Sequence, residues 1–269
     1  MNIHLFFANL RAGKTGIISW SVLIALYGLL VMYLYPSVKD AGLAQYYLSL
    51  PEPLKQMIGV DGLLTPEGKL PLKFFVSAEF LSFAPVLVTV YAIFSAGNIA
   101  AKEAEMGTLD LILSQPIART RFLTSKFAVI LAGLAAVNLG SMAGLALGMN
   151  LITERMSLPV LALALLQSSF LVLAVACISM LFSCIFLNPR KALASAGVFT
   201  AASYILNFMA PSLGSYQWVE RLSVFHYYRS QDVISKGVLD WGSALLLLAV
   251  ATGSFLAAVL VFRQRDIVS

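Results

Sequence analysis

Six long apolar stretches, separated by short polar segments, dominate the chain. They cover roughly residues 16–35, 74–98, 127–152, 158–187, 192–213 and 241–262. Each is long enough for a helix that crosses a bilayer, since about 20 residues span the ~30 Å hydrocarbon core. No polar segment between them could hold a soluble domain. The pattern therefore predicts a single all-α transmembrane domain over residues 1–269.

The composition agrees with a membrane protein and excludes an ordinary soluble one. The chain is 59% hydrophobic and 12% charged, with a mean hydropathy of +0.86, whereas soluble domains carry about 25% charged residues. The first apolar run lacks the short core and small-residue cleavage site of a signal peptide, so we expect it to be retained as a span. The chain offers no basis for a nucleic-acid partner.

Charge placement predicts the orientation. The side holding residues 1–14, 99–126, 188–191 and 263–269 carries ten Lys/Arg and four Asp/Glu, and the other side carries eight of each. The positive-inside rule therefore predicts a multi-pass protein of the cell or inner membrane with both termini in the cytoplasm. Residues 1–14, which mix apolar and basic positions, predict an N-terminal amphipathic helix along the cytoplasmic surface.

Few residues suggest chemistry. Gly13, Lys14 and Thr15 imitate the end of a phosphate-binding loop, but no strand precedes them and a membrane span follows, so we expect no nucleotide site in this chain. Cys177 and Cys184 share a helix face without a nearby His or carboxylate, which favours buried structural cysteines over a metal site. The two histidines, His4 and His226, fall on opposite sides and lack partners for catalysis or metal binding.

Glu79 is the one acidic residue placed inside a span, which makes it a candidate for the transport pathway. It also lies close to the outer end of that span, so a side chain that reaches the interface is an equally good interpretation. Other polar residues at membrane depth predict hydrogen bonds between helices: Asn138, Asn150, Gln167 and Asn207. No chain of ionisable residues emerges, which argues against an ion-coupled transporter.

Two further patterns leave alternatives open. Gly140, Gly144 and Gly148 form two overlapping G-x-x-x-G steps, which predict close helix packing either within the bundle or between protomers. The aromatic segment 214–240 fits an interfacial belt, or a re-entrant element that lines the outer mouth of a pathway.

The polar segment "AAKEAEMGTLDLILSQPIARTRFLTSKF", residues 100–127, stands between the second and third spans. Thr108 predicts the N-cap of a short helix that Pro116 limits. Leu109, Ile112 and Leu113 follow at i, i+3 and i+4 and give this helix one apolar face. Gly107 permits a sharp change of direction before it. An apolar face on the cytoplasmic side predicts a docking partner, although a linker helix resting on the membrane surface is the simpler alternative.

These residues resemble the loop between the second and third spans of type-2 ABC transporter (ABC-2) permeases. The matching positions are Glu103, Glu105, Gly107, Thr108, Leu109, Pro116, Arg119 and Lys126. Met106 departs from the pattern, because another acid is frequent there. The six-span layout, the amphipathic N-terminus, "LPEPLKQMIG" in the first outer loop and "FHYY" in the last are similar in outline.

The resemblance implies a permease subunit of an ATP-driven exporter. Its loop would be a coupling helix seated on a separate ATP-binding subunit, with Leu109, Ile112 and Leu113 in the groove, and with Glu103 and Glu105 pairing with basic residues of that subunit or of the N-terminal helix. ATP and Mg would bind two copies of the partner subunit, and the permease would pair with a second copy or a sister permease. The mostly apolar bundle favours an amphipathic or hydrophobic cargo. The alternative is a membrane scaffold or sensor that recruits a cytosolic partner without transport.

Overall fold

The computed structural model describes residues 3–40, 49, 51, 70–108 and 119–264, and these residues form an all-α bundle. Its α-helical elements are α1 (Ile3–Asp40), α2 (Leu72–Gly97), α3 (Ala101–Glu105), α4 (Arg119–Met149), α5 (Leu158–Phe186), α6 (Pro189–Met209), α7 (Ser230–Lys236) and α8 (Trp241–Gln264). Helices α1, α2, α4, α5, α6 and α8 are long and apolar enough to cross a membrane, and no strand occurs within the described ranges. The predicted six-span, all-α architecture is confirmed.

The six spans alternate in direction and so define two ends of the bundle. We call the end that holds residues 98–108 and 187–188 the near side, and the end that holds residues 150–157 and 210–240 the far side. Helix α1 begins on the near side and α8 ends there.

Several helices extend beyond the predicted spans. The amphipathic segment and the first span form one continuous helix of 38 residues, α1, rather than two elements. Gly13 and Gly16 remain helical within it. Helix α4 likewise begins at Arg119, well before its apolar stretch. Hydropathy marks the part of a helix that suits lipid, whereas backbone hydrogen bonds continue past that boundary.

Helix α5 lies at the centre of the bundle and contacts α2, α4, α6 and α8. Most of its inward face is buried, from Leu161 to Cys184. Both cysteines are buried on this helix, as predicted, and they do not form a disulfide. Helix α4, in contrast, packs mainly on α1.

The glycine steps of α4 face α1 inside the same chain. A Cβ atom added at Gly140 would lie 2.6 Å from the carbonyl oxygen of Ser21, and one added at Gly144 would lie 2.0 Å from that of Ala25. At Gly148 it would lie 2.4 Å from Cβ of Met32. Of the two interpretations of the G-x-x-x-G pattern, packing within the bundle is therefore the one observed for all three glycines.

Helix α2 contains one π-helical segment, Val76–Leu81, which the sequence analysis did not predict. Its carbonyl groups receive hydroxyl donors from two other elements. Tyr27 of α1 donates to the carbonyl of Glu79 at 2.7 Å. Tyr228, within the far-side residues 210–240, donates to the carbonyl of Leu81 at 2.9 Å. These hydroxyls serve carbonyls in a segment where the regular i→i−4 ladder is interrupted.

The far-side segment 210–240 folds back onto the bundle. Val224 and Phe225 are buried, and Phe225 makes an edge contact with Tyr204 at 5.3 Å between ring centres. Ser203 and Ser223 join the segment to α6 through hydrogen bonds of 2.6 to 3.1 Å. Trp218 remains 58% exposed. The segment thus combines buried aromatics, as a re-entrant element would, with exposed ones that suit an interface.

Candidate functional site

The short polar turn after α2 is fixed to the near side of the bundle. We call residues 98–108, together with Lys126 and Ser183, the near-side junction. The backbone N–H groups of Ala100 and Ala101 both donate to Oγ of Ser183 on α5, each at 3.1 Å. Ser183, Ala100 and Ala101 have no exposed surface. The start of α3 is therefore held by α5 through hydrogen bonds shielded from water.

Glu103 is the electrostatic centre of the near-side junction. Its carboxylate forms a 2.9 Å ion pair with Lys126 of α4 and accepts a hydrogen bond from the Thr108 hydroxyl at 2.5 Å. The side chains of Lys126 and Glu103 are only 20% and 16% exposed. Burial raises the pKa of Glu103, but hydrogen bonds from Thr108 and Lys126, with the charges of Lys126 and Lys102, outweigh burial and lower it below its usual value. Glu103 is thus a carboxylate held in its charged form by its own chain.

Two neighbouring residues of the predicted coupling segment also have described positions. Gly107 follows α3 with φ of +66°, a left-handed conformation that favours glycine and turns the chain as predicted. Glu105 is exposed and makes no ion pair with any residue that the structure describes, so its carboxylate is open to a partner.

The remaining residues of the predicted coupling helix lie outside the described residues. They are Leu109, Ile112, Leu113 and Pro116. The described chain ends at Thr108 on one side and resumes at Arg119, the first residue of α4, on the other. The first outer loop with "LPEPLKQMIG" also lies almost wholly outside them.

Glu79 lies in the π-helical segment, seven positions after the start of α2. Its side chain is half-buried, and its backbone carbonyl is the acceptor for Tyr27. Its carboxylate makes no ion pair within the described ranges. The position near the far-side end of the span agrees with the sequence analysis, and its role in a pathway stays a prediction.

The polar residues predicted to join helices have different environments. Asn138 of α4 donates to the Ser169 hydroxyl of α5 at 2.7 Å, which is the expected interhelical bond. Gln167 donates to the Tyr227 carbonyl of the far-side segment at 3.2 Å. Asn150, however, accepts a hydrogen bond from Arg155 at 3.0 Å within the turn between α4 and α5, since α4 has already ended at that point.

Sequence reasoning missed the two residues that fix the near-side junction. Lys126 is predicted only as a matching position of the coupling-loop pattern and not as the partner of Glu103, and Ser183 is not singled out by the sequence. The match to the loop pattern does not indicate which acidic residue Lys126 contacts. Ser183 is one of several serines in the spans, and nothing in one sequence shows which serine faces another chain segment.

The bundle, with its far-side segment folded inward and its near-side turn fixed to α5, defines a polytopic α-helical membrane protein. The comparison with protein families then identifies the family to which it belongs. Residues 7–263 match the family described as "Multidrug efflux system permease Rv1217c, C-terminal domain", and the chain belongs to that family. This membership makes the chain a transport permease. No protein with a curated description matches the chain significantly.

Proposed function

We propose that the chain is the membrane-spanning subunit of an ATP-driven ABC exporter of the ABC-2 type. Membership of a family named for a multidrug efflux system supports an export role. The resemblance of residues 100–127 to an ABC-2 coupling loop supports ATP-driven coupling. On this proposal the near side is cytoplasmic, and the cargo is an amphipathic or hydrophobic molecule such as an antibiotic, peptide or lipid.

The main support for the proposal is that the chain is attached to α4 both before and after residues 109–118. Before them, Thr108 hydrogen-bonds Glu103, which binds Lys126 of α4. After them, the chain enters α4 itself at Arg119. Because both ends of the segment are attached to α4, a displacement of the segment moves the near-side end of that helix.

A second connection leads from the same turn to the bundle centre. Ser183 of α5 accepts from two successive backbone N–H groups at the start of α3. The near-side junction therefore connects three spans: α4 through Lys126, α5 through Ser183, and α2, whose end continues into the junction. A partner that moves residues 109–118 would act on three spans together, which suits a coupling element better than a passive linker.

The proposed partners follow from the resemblance to ABC-2 permeases, in which separate subunits bind ATP. Two ATP-binding subunits would hold ATP and Mg, and a second copy of this chain or a sister permease would complete the pathway. Leu109, Ile112 and Leu113 would fill the groove on the ATPase, and the exposed Glu105 would meet a basic residue there. Glu103 contributes through Lys126 instead.

The test uses the chain co-expressed with an ABC ATP-binding subunit that co-purifies with it. Leu113→Asp places a charge on the apolar face, and we expect it to abolish both co-purification of the ATPase and ATP-driven export from vesicles. Gly107→Pro should impair export, since proline cannot adopt a φ of +66°. Met106→Asp is the matched control, because it adds the same charge at a residue that is 53% exposed and precedes the predicted coupling helix in the sequence.

The outcomes separate coupling from recruitment alone. Wild-type ATPase binding and export in Leu113→Asp would overturn the coupling role. An ATPase that co-purifies without any ATP-driven transport by the unmodified complex would favour the scaffold or sensor.

A further inference from the structure

A groove of about 510 Å³ lies between helices α4 and α5. Drug-sized ligands occupy sites of ~300–1,000 Å³. Leu131, Leu139 and Leu166 line the groove and are 42%, 71% and 43% exposed. It is therefore an apolar recess of suitable size that opens from the side of the bundle.

One polar pair lies on the wall of this groove. Asn138 and Ser169 both line it, and each is eleven residues from the end of its helix at the α4–α5 turn. At ~1.5 Å per residue the pair lies ~16 Å from the far-side helix ends, near the middle of a ~30 Å hydrocarbon core.

The hydrogen bonds of this pair leave one acceptor unused. The Ser169 hydroxyl donates to the Leu165 carbonyl at 2.9 Å, so it can only accept from Asn138. The Asn138 amide nitrogen donates its other proton to the Leu134 carbonyl at 3.1 Å. Within the described residues nothing donates to Oδ1 of Asn138. An unsatisfied acceptor at this depth is costly, because lipid chains offer no donor.

We propose that the α4–α5 groove binds a mostly apolar molecule that carries one N–H or O–H donor, which Oδ1 of Asn138 accepts. The proposal rests on the proposed export function and names the site at which cargo from the bilayer is recognised. A lipid acyl chain could fill the apolar part but could not donate to Asn138, and lipid head groups lie far from mid-membrane. The free acceptor thus selects a ligand with a donor.

A smaller cavity behind the pair supplies the main competing explanation. It measures about 20 Å³, lies between α2, α4 and α5, and is lined by Asn138, Ser141, Ser168 and Ser169 among apolar residues. This volume suits about one water molecule. If a water there were the donor for Oδ1, the groove would show no preference for ligands with an N–H group.

The experiment measures saturable binding of two dyes to the purified chain in lipid nanodiscs, with empty nanodiscs subtracted. N-phenyl-1-naphthylamine has one N–H group on an apolar body and fluoresces more strongly in apolar surroundings. Its N-methyl analogue lacks the donor. We expect the wild-type chain to bind the N–H dye about three- to tenfold more tightly, the range for one net hydrogen bond.

Four variants locate the site. Asn138→Leu should remove the preference between the dyes while retaining binding of the N-methyl dye. Ala135→Trp, at an exposed groove position, should abolish saturable binding of both. Ala201→Trp, on the exposed face of α6, should change neither, and Ser141→Ala, which lines only the small cavity, should preserve the preference.

Several results would overturn the proposal. These are equal affinity of the wild-type chain for the two dyes, an unchanged N–H preference in Asn138→Leu, or wild-type binding by Ala135→Trp. If Asn138→Leu does not fold, the dye pair on the wild-type chain still decides. Binding is measured without ATPase or ATP, so loss of ATP-driven export would refute the proposed function and leave this result intact.

Discussion

Replacing Gly144 by alanine tests the tight packing of α4 on α1. The added Cβ would lie 2.0 Å from the carbonyl oxygen of Ala25 and 2.7 Å from its Cα. Real Cβ contacts below 3.0 Å essentially do not occur, so α1 and α4 would have to separate by about 1 Å at this point. The obstructing atoms are backbone atoms, which cannot move aside by a change of rotamer.

The cost follows from the kind of strain. Overpacking a tight interface destabilises by ~1–3 kcal/mol. A chain of this size loses ~2–4 °C in its unfolding midpoint per kcal/mol, so the expected decrease is ~2–12 °C. The helix propensity of alanine opposes this by up to ~1 kcal/mol in exposed helices, so the net decrease is smaller than the packing strain alone would give.

The measurement is heat unfolding of the purified protein in one detergent, followed by helical circular dichroism. Gly253→Ala in α8 is the control, because nothing lies within 4 Å of its added Cβ. We expect its midpoint to stay unchanged or to rise. If Gly144→Ala unfolds at or above the wild-type temperature while Gly253→Ala is neutral, α1 and α4 do not approach as closely as described.

Two further predictions concern hydrogen bonds at the two ends of the bundle. Because the pKa of Glu103 is lowered in the folded chain, its contribution to stability is present above pH 4.5 and is lost as the pH falls through the folded-state pKa. The Glu103→Gln variant should therefore lose less stability on acidification than the wild-type chain. Equal acid sensitivity of the two proteins would contradict the ion pair with Lys126. Tyr228→Phe removes the donor to the Leu81 carbonyl and should cost ~1 kcal/mol and speed hydrogen exchange in the π-helical segment, whereas unchanged exchange there would show that the carbonyl has another partner.

The sequence predicted the six spans well because each carries a long apolar run, and lipid imposes that requirement directly. It predicted the turn at Gly107 for a similar reason, since only glycine adopts that conformation readily. Other features depend on how helices are rotated against each other. The glycine pattern of α4 showed that a helix approaches closely, but not that the helix is α1.

The polar contacts were harder still to predict. Glu103 and Lys126 are 23 residues apart, and Asn138 and Ser169 are 31 apart. Each pair forms because two helices pack against each other, and a single sequence does not show which helices are neighbours. The π-helical segment leaves no trace in hydropathy either, because Val76–Leu81 is as apolar as an ordinary helical turn apart from Glu79.

That segment also constrains how this chain can change length. A π-helical turn holds about one residue more than an α-helical turn, so deleting one residue between 76 and 81 would restore a regular helix. Because the wide turn absorbs the extra residue, this deletion would leave the residues before it on their present faces, whereas a deletion from a regular α-helix would rotate them by about 100° around the helix axis. Phe74 and Phe75, which are 1% and 5% exposed, would therefore stay in the core. A single-residue gap at this place between related chains would therefore mark the loss of the π-helical turn, with the same residues facing the interior on both sides of it.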